Sequence, residues 1–299
     1  MSQQPYPGAR AREERGWLLA NRWLLARRFS QLGILILFLL GPLGGIWLVT
    51  GNLNSSLTLG VLPLSDPYVL LQSFFAGHQL VSTALVGAVI VVGFYLLVGG
   101  RAYCSWVCPV NMVTDAAAML RQRLGIKGGG TRLRRVTRYW ILAMTLLVSL
   151  ASGTIAWEFV NPVSMFHRGL IFGIGLAWTI IAAVFLLDLF VSRYAWCGHL
   201  CPVGAFYSLL GKYSLVRVSA AARDRCDDCM DCFQICPEPQ VIPPALRGAE
   251  KGVGPVILSP NCTNCGRCID VCSKNVFGFS TRFNNSTPGG VMSRTEVAS

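Results

Sequence analysis

Long apolar stretches alternate with polar loops through the first part of the chain, and a polar tail follows them. Four stretches hold about 20 mostly apolar residues each, the length that crosses about 30 Å of hydrocarbon as a helix. They are residues 31–49, 78–98, 139–157 and 170–190. From about Arg217 onward the chain is polar and has no further stretch of this kind. The pattern predicts an α-helical integral membrane protein with four transmembrane helices.

The basic residues lie almost entirely on one side of these predicted spans. Of 26 Lys and Arg residues, only Arg168 lies in the loops 50–77 and 158–169. Because Lys and Arg accumulate in cytoplasmic loops, we expect a multi-pass protein of the bacterial inner membrane with both termini in the cytoplasm. This bias explains the net charge of +12. With only 13% charged residues, the chain is a poor candidate for binding nucleic acid.

The membrane part repeats itself. Spans two and four are each followed by a C-x3-C-P motif, Cys104 to Pro109 in the first half and Cys197 to Pro202 in the second. Residues 63–65 (Pro-Leu-Ser) in the first outer loop echo residues 162–164 (Pro-Val-Ser) in the second. We therefore expect duplicated helix pairs related by a pseudo-twofold axis along the membrane normal, with a site between the halves.

The thiols of the two C-x3-C-P motifs have three interpretations at this stage. Thiols at i and i+4 share one face of a helix, so four of them at matching depth meet across the pseudo-twofold axis. They then hold a further metal centre, form a redox-active dithiol, or are simply buried small side chains. The thiols are those of Cys104, Cys108, Cys197 and Cys201.

The tail contains two runs of the form C-x2-C-x2-C-x3-C, the spacing of bacterial ferredoxins with two [4Fe–4S] clusters. In such runs three cysteines bind one cluster and the fourth binds the other. The predicted ligands are Cys226, Cys229, Cys232 and Cys272 for one cluster, and Cys262, Cys265, Cys268 and Cys236 for the second. Zinc ribbons do not require this repeated count, and disulfides are disfavoured in a reducing cytoplasm. We expect a C-terminal ferredoxin-like α+β domain.

Few other side chains offer redox or proton chemistry. Asp66, His78, Glu158 and His167 lie at the predicted outer interface, where they accept protons from a quinol or serve only as interfacial caps. No haem is expected, because no histidine pair lies at mid-membrane and no C-x-x-C-H motif occurs. We interpret the tryptophans near the span ends, Trp157 and Trp196 among them, as interfacial anchors. A local pair with Arg193 accounts for Asp188 within span four.

Four segments follow from these patterns. Residues 1–29 form a basic cytoplasmic N-terminal segment, and residues 30–216 form the four-helix membrane domain. Residues 217–283 form the domain with two [4Fe–4S] clusters, and residues 284–299 form a disordered tail.

The layout resembles the NapH family, the ferredoxin-type membrane component of quinol dehydrogenases in periplasmic nitrate reductase systems. The resemblance covers nearly the whole chain, including residues 64–67 (Leu-Ser-Asp-Pro), 104–109 and 196–202 with their C-x3-C-P motifs, and 229–232 (Cys-Met-Asp-Cys). MauN-type proteins of methylamine utilisation are closely similar. The resemblance implies oxidation of quinol from the membrane pool. It also implies electron transfer toward nitrate reductase, through a NapG-type periplasmic ferredoxin and with a NapC-type cytochrome as a further candidate partner.

An alternative is an assembly or maturation protein that supplies electrons or metal to a partner redox enzyme. It is motivated by the four C-x3-C-P thiols and by the expected cytoplasmic position of the tail clusters, opposite a periplasmic acceptor.

Overall fold

The computed structural model describes residues 6–79, 81–126, 134–173 and 175–284. Lys127, Arg132 and the tail predicted to be disordered beyond Asn284 lie outside the described residues. The described chain divides into two compact units. The larger unit holds residues 25–214 together with the short segment Pro260–Cys265, and the smaller unit holds residues 6–24, 215–259 and 266–284.

The larger unit is mainly helical, with one small antiparallel sheet. Its first helix, α2, begins in the smaller unit at Arg22. The helices are α2 (Arg22–Gly44), α3 (Pro67–Phe75), α4 (Ser82–Val98), α5 (Ala102–Trp106), α6 (Val110–Arg123), α7 (Thr137–Ser152), α8 (Pro162–Phe172), α9 (Gly175–Leu186) and α10 (Pro202–Gly211). The strands are β1 (Val49–Gly51), β2 (Ser55–Thr58) and β3 (Leu62–Ser65), in the order β1-β2-β3.

One helical stretch in the described part of the chain, Leu19–Gly44, is both long and apolar enough to cross a membrane. Three shorter apolar helices cover Ser82–Val98, Thr137–Ser152 and Ala177–Val191. They match the cores of the predicted second, third and fourth spans.

The boundaries of the predicted spans need correction at several ends. The first helix ends at Gly44, so residues 49–51 form strand β1 rather than the end of a span. Left-handed glycines stop two other helices, Gly153 after α7 and Gly173 after α8. Gly173 therefore divides the predicted span 170–190 between α8 and α9, because a residue with φ near +63° interrupts the α-helical path.

The loop between the first two apolar helices folds inward as a sheet and a short helix. Strand β3 runs beside α4 so closely that a Cβ atom at Gly87 would lie 3.0 Å from the backbone nitrogen of Ser65. Helix α3 begins directly after β3, capped by the Asp66 carboxylate, which accepts from the Tyr68 N–H at 3.0 Å. Val49, Asn54 and residues 65–68 are thus buried in the larger unit, whereas most other residues of the three strands and their turns are exposed or half-buried.

Helices α3 and α8 correspond to each other, which corrects the predicted echo between the outer loops. Residues 63–65 lie in strand β3, whereas Pro162 opens a helix. The equivalent positions are Asp66-Pro67 and Asn161-Pro162, since each pair supplies an N-cap side chain followed by a proline in the first turn.

Several arginines counted above as cytoplasmic charges are buried structural residues. Arg27, Arg101 and Arg138 are each at most 1% exposed. Arg28 pairs with the buried carboxylate of Asp115, which also accepts from the Tyr194 hydroxyl at 3.1 Å. These side chains join helices within the larger unit, and their charge does not face solvent.

The smaller unit joins the N-terminal segment to the tail. Its elements are α1 (Ala9–Arg15), β4 (Val216–Ser219), α11 (Asp231–Ile235), α12 (Ile242–Arg247), α13 (Arg267–Val271) and β5 (Gly278–Thr281), and β4 pairs antiparallel with β5. The Asp270 carboxylate accepts from the N–H groups of Trp23 at 3.2 Å and Leu24 at 2.9 Å. It thereby satisfies orphan donors in the first turn of α2.

Candidate functional site

The two C-x3-C-P motifs of the larger unit meet at one cavity, which we name the thiol cavity. The four cysteines of the motifs all line it, as do Asp66, Asn54, Asn161, Trp157 and Trp196. No disulfide joins cysteines in the described part of the chain, which includes all twelve. The structure therefore brings together four thiols that lie almost 100 residues apart in sequence.

Four helices begin at the thiol cavity. Helix α6 begins just after Cys108 and α10 just after Cys201, and both are preceded or opened by a proline. Helices α3 and α8 begin at Asp66 and Asn161, which line the same cavity. Each helix N-terminus presents the positive end of the helix dipole, although Asp66 and Asn161 each cap one N–H group of α3 and α8. The cavity is thus suited to a negatively charged occupant.

Burial is the main influence on the pKa values of the cavity thiols Cys108 and Cys201. Desolvation raises the pKa of Cys201 to about 12, and the Cys104 thiol acts in the same direction, while the N–H groups of Gly204 and Val203 act against it. Desolvation likewise raises the pKa of Cys108. Without a bound cation these thiols stay protonated at neutral pH.

Asp66 is the acidic side chain that lines the thiol cavity. It is 8% exposed, and burial raises its pKa to about 6 against the stabilising effect of the Tyr68 N–H. The Tyr207 hydroxyl lies 3.5 Å from its Oδ1, and the charge of Glu158 raises its pKa further. A carboxyl group with a pKa near neutrality is able both to take up and to release a proton.

Glu158 sits in a polar network beside the cavity. Its carboxylate accepts from Asn54 Nδ2 at 2.6 Å and pairs with Arg168 at 3.2 Å. Asn161 donates to the hydroxyl of Ser164 at 3.1 Å, and Asn54 donates to the same hydroxyl at 2.9 Å. The network ties the start of α8 to the β1–β2 loop, which carries Asn54.

The two other predicted proton acceptors lie elsewhere. His78 is exposed, three residues past the C-terminal end of α3, whereas Asp66 caps the opposite end of that helix. His167 lies on α8, is 6% exposed and packs its ring against Phe38 with centroids 6.1 Å apart. The structure therefore brings Asp66 and Glu158 close to each other and leaves the histidines apart from the cavity.

The interpretation of Trp157 and Trp196 as interfacial anchors is wrong. Both line the thiol cavity, and their rings stack with centroids 6.4 Å apart. Asp188 is also placed differently from the predicted local pair, since its Oδ1 accepts from the Trp196 N–H at 2.9 Å and Arg193 lies over the Tyr194 ring. For Trp196 the sequence signal was its position directly before the second C-x3-C-P motif.

The larger unit also holds a segment from the tail, Pro260–Cys265, which carries two of the predicted cluster ligands. Ser105 Oγ donates to the carbonyl of Thr263 at 2.8 Å, and Trp106 Nε1 donates to that of Asn264 at 3.0 Å. Asn264 in turn donates to the carbonyl of Val98 at 3.0 Å. Residues inside the first C-x3-C-P motif thus hold the loop that contains Cys262 and Cys265.

Two buried arginines secure the same segment. Arg101 donates to the carbonyl of Asn261 at 2.9 Å and to that of Cys197 at 3.0 Å. Arg138 donates to the side chain of Asn261 and to the carbonyl of Gly198 at 3.3 Å. No local pattern indicated this role, because both arginines fit an ordinary cytoplasmic charge cluster.

In the smaller unit, four predicted ligands of the first cluster line one pocket. They are Cys226, Cys229, Cys232 and Cys272, the set that spans both cysteine runs. The rest of the lining is apolar except for Asp227, Asp228 and Asp231, which lie between the cysteines of the first run. Four cysteines lining one pocket fit a [4Fe–4S] cluster. The second predicted set divides by unit, with Cys236 and Cys268 in the smaller one and Cys262 and Cys265 in the larger one.

The backbone between the cysteines has the same form in both runs. Left-handed residues separate the first from the second cysteine, Asp228 and Asn264, and the second from the third, Met230 and Gly266. A left-handed conformation costs about 1–2 kcal/mol for a residue with a side chain. Such strain persists where the fold requires it, and here it turns the chain tightly between successive thiols.

Known families match the chain in the same places. A model described as a 4Fe-4S binding domain matches twice, at residues 81–127 and 171–219, which confirms the internal repeat. A 4Fe-4S dicluster domain matches residues 225–285 and confirms the iron–sulfur nature of the tail.

Curated relatives match over nearly the full length. The methylamine utilization ferredoxin-type protein MauN of Paracoccus denitrificans is 59% identical, over 91% of this chain and 95% of its own. The ferredoxin-type proteins NapH of Haemophilus influenzae and Escherichia coli are 47% and 44% identical, over 94% and 93% of this chain and 97% and 96% of their own. No solved structure matches the chain. Full-length identity at this level, together with the two iron–sulfur domain types, shows that the chain belongs to the NapH/MauN family of ferredoxin-type electron-transport proteins.

Proposed function

We propose that this protein is a membrane-bound iron–sulfur subunit that oxidises quinol and passes the electrons to a partner redox system. The observation that carries the proposal is the pocket formed by Cys226, Cys229, Cys232 and Cys272. One long apolar helix and three shorter ones support four membrane spans. The charge bias of the loops supports cytoplasmic termini.

Two [4Fe–4S] clusters supply the electron-carrying centres in this proposal. The first is held by the four cysteines of the smaller-unit pocket. The second is assigned from its spacing alone, with ligands Cys262, Cys265, Cys268 and Cys236. Each cluster accepts and releases one electron at a time.

Asp66 is the proton acceptor that the structure favours among the four candidates. Quinol oxidation releases two protons and two electrons, so a base must lie at the site. Asp66 is buried in a cavity and has a pKa of about 6, whereas the Glu158 carboxylate is already paired with Arg168. His78 and His167 lie away from the cavity.

The partner system is proposed from the relatives. A NapG-type periplasmic ferredoxin, with a NapC-type cytochrome as a further candidate, would connect the protein to nitrate reductase. A methylamine system is the second candidate, because the MauN relative is 59% identical and the NapH relatives are 47% and 44% identical. Deleting the gene and measuring growth on nitrate and on methylamine separates the two.

The test of quinol oxidation is EPR spectroscopy on protein purified anaerobically in detergent. We expect addition of a reduced quinol analogue to produce signals of interacting [4Fe–4S]⁺ centres. Asp66→Asn should slow that reduction at least tenfold, while Glu158→Gln, the matched control beside the cavity, changes it by less than about threefold. Clusters that only dithionite reduces would contradict the proposal and favour the maturation role.

The crossed ligand arrangement has its own test. Cys232→Ser should remove the first cluster and partly disturb the second, because each run contributes a ligand to both. Cys236→Ser and Cys272→Ser should each perturb the signals of both clusters. If Cys236→Ser instead removes the same cluster as Cys232→Ser and leaves the other unchanged, the cysteine runs bind independently.

A further inference from the structure

The four cysteines of the thiol cavity have no role in the electron-transfer proposal above. Each of the two segments that match the 4Fe-4S binding domain contains only two cysteines, Cys104 with Cys108 and Cys197 with Cys201. Two thiolates are too few for either segment to hold an iron–sulfur cluster with four protein ligands. All four nevertheless line one cavity of the larger unit.

We propose that these four cysteines jointly bind one additional iron–sulfur cluster, shared between the two halves of the repeat. The inference deepens the proposed function, since this centre would lie beside Asp66 and carry electrons from the same site.

The spacing of the side chains favours a cluster over a single metal ion. Within the described part of the chain, no three His, Cys, Asp or Glu side chains converge closely enough to hold one ion. The same holds for the tail cysteines, although their domain is of the dicluster type. A cluster holds its thiolates farther apart than a single ion does, because its irons and sulfides fill the space between them.

Helix N-termini and an arginine beside the cavity would compensate the negative charge of a cluster. Four thiolates around an iron–sulfur core leave a net negative charge. The N-termini of α3, α6, α8 and α10 all reach the cavity, and these helices have 9, 14, 11 and 10 residues. Four helix dipoles directed at one place stabilise an anion there. The Arg101 guanidinium, bonded to the carbonyl of Cys197, adds a full positive charge nearby.

Trp157 supplies a hydrogen-bond donor without a described use. The residue lines the cavity and is 3% exposed, and its buried indole Nε1 has no hydrogen-bond partner in the part of the chain that the structure describes. A buried donor left unpaired costs about 1–3 kcal/mol. A cluster sulfur is an acceptor that would remove this cost.

The surroundings also connect the cavity to the tail segment within the same unit. Ser105 and Trp106 lie between the cavity cysteines Cys104 and Cys108 and hold the loop that carries Cys262 and Cys265. A centre in the cavity would therefore be linked to the proposed ligands of the second tail cluster through the contacts of Ser105 and Trp106.

Iron analysis of the full-length protein tests the inference without any quinol. Anaerobically prepared protein should contain about ten irons per chain if the extra centre is [2Fe–2S], or about twelve if it is [4Fe–4S]. Cys104→Ala and Cys197→Ala, one from each half, should each lower the content to about eight and abolish the same Mössbauer component. The matched control, Cys226→Ala, should lose tail irons and keep that component.

Three results would overturn the inference. About eight irons in the wild-type protein would exclude the centre. Separate and additive losses in Cys104→Ala and Cys197→Ala would show two sites rather than one shared site. A mass decrease of 2 Da in peptides joining these cysteines would show a dithiol–disulfide pair. Retention of the tail-cluster EPR signal in each variant shows that it has folded.

The outcome is independent of the proposed function. About ten or twelve irons with no reduction by quinol would retain the shared cluster and reject quinol oxidation. About eight irons with reduction by quinol would reject the shared cluster and retain quinol oxidation.

Discussion

Arg101 bonds through one terminal nitrogen to the carbonyl of Cys197 at 3.0 Å and through the other to the carbonyl of Asn261 at 2.9 Å. Arg101 lies in the first half of the repeat, three residues before Cys104, whereas Cys197 opens the motif of the second half. One guanidinium, 1% exposed, thus joins both halves to the segment that carries Cys262.

Replacing this arginine should destabilise the larger unit strongly. Arg101→Met keeps the length of the side chain and removes two hydrogen bonds from a charged donor, each worth about 1.5–3 kcal/mol. We expect a loss of about 3 kcal/mol or more in the free energy of unfolding, measured by thermal denaturation in detergent. Hydrogen exchange should also quicken at residues 261–265.

Arg168→Gln is the control for that experiment. Its ion pair with Glu158 is half exposed, so its removal should cost no more than about 1 kcal/mol. Equal destabilisation by the two substitutions would mean that the buried contacts of Arg101 are not what holds the unit together.

The hydrogen bond from Trp106 to Asn264 should matter for one tail cluster and not for the other. Trp106→Phe keeps an aromatic ring and removes the Nε1 donor, at a cost of about 1 kcal/mol. We expect broader EPR lines from the cluster assigned to Cys262 and Cys265. Signals from the cluster in the smaller-unit pocket should stay unchanged. Broadening of both signals to the same degree would contradict the assignment.

Asp66 should make stability depend on pH in a definite direction. Its pKa is about 6 in the folded protein, above its usual 3.8, so the folded state binds the proton more tightly than the unfolded state does. The contribution of this tighter proton binding to the free energy of unfolding is complete below pH 3.8 and is lost as the pH rises through 6. The shift of about 2 units corresponds to about 3 kcal/mol.

Asp66→Asn removes the free-energy cost of burying an ionised carboxylate at high pH. It keeps an amide oxygen that is able to cap α3. The variant should therefore unfold at a higher temperature than the wild type at pH 8, and at a similar temperature near pH 4. Glu158→Gln is the control, and it should not show this gain, because its carboxylate accepts hydrogen bonds from Asn54 and Arg168. A pH-independent difference between Asp66→Asn and the wild type would contradict the predicted ionisation of Asp66.

Asp270 should stabilise the smaller unit through the N-terminus of α2. Asp270→Ala leaves the N–H groups of Trp23 and Leu24 without their acceptor, at a cost of about 1–2 kcal/mol. Limited proteolysis after residues 10–22 should become faster. Asp227→Ala, which removes an exposed pair with Arg10 at 3.5 Å, should leave the proteolysis rate unchanged.

The cysteine runs and the repeat were predictable because their chemistry depends on short-range spacing. The intervals between the cysteines from Cys226 to Cys236 predict a cluster by themselves. The two C-x3-C-P motifs can be recognised as copies of each other. The capping of α3 by Asp66 and of α8 by Asn161 was not predicted, although an Asx residue before a proline marks a helix start.

Other features depend on contacts between distant parts of the chain and leave no local signal. A buried arginine such as Arg138 has the same neighbours in sequence as a solvated one. Trp157 ends an apolar stretch, which is typical of an interfacial anchor, and only the packed structure places it at the cavity. The backbone of Pro63 and Ser65 lies so close to α4 that only a glycine fits at Gly87, and a glycine in an apolar stretch does not by itself indicate such a neighbour.

The seating of residues 260–265 in the larger unit has a consequence for biogenesis. Contacts from Arg101, Ser105, Trp106 and Arg138 hold the segment that carries Cys262 and Cys265. If these two cysteines bind the second cluster as proposed, its insertion requires the packed helices that supply those contacts, so a chain with unpacked helices would lack that electron carrier.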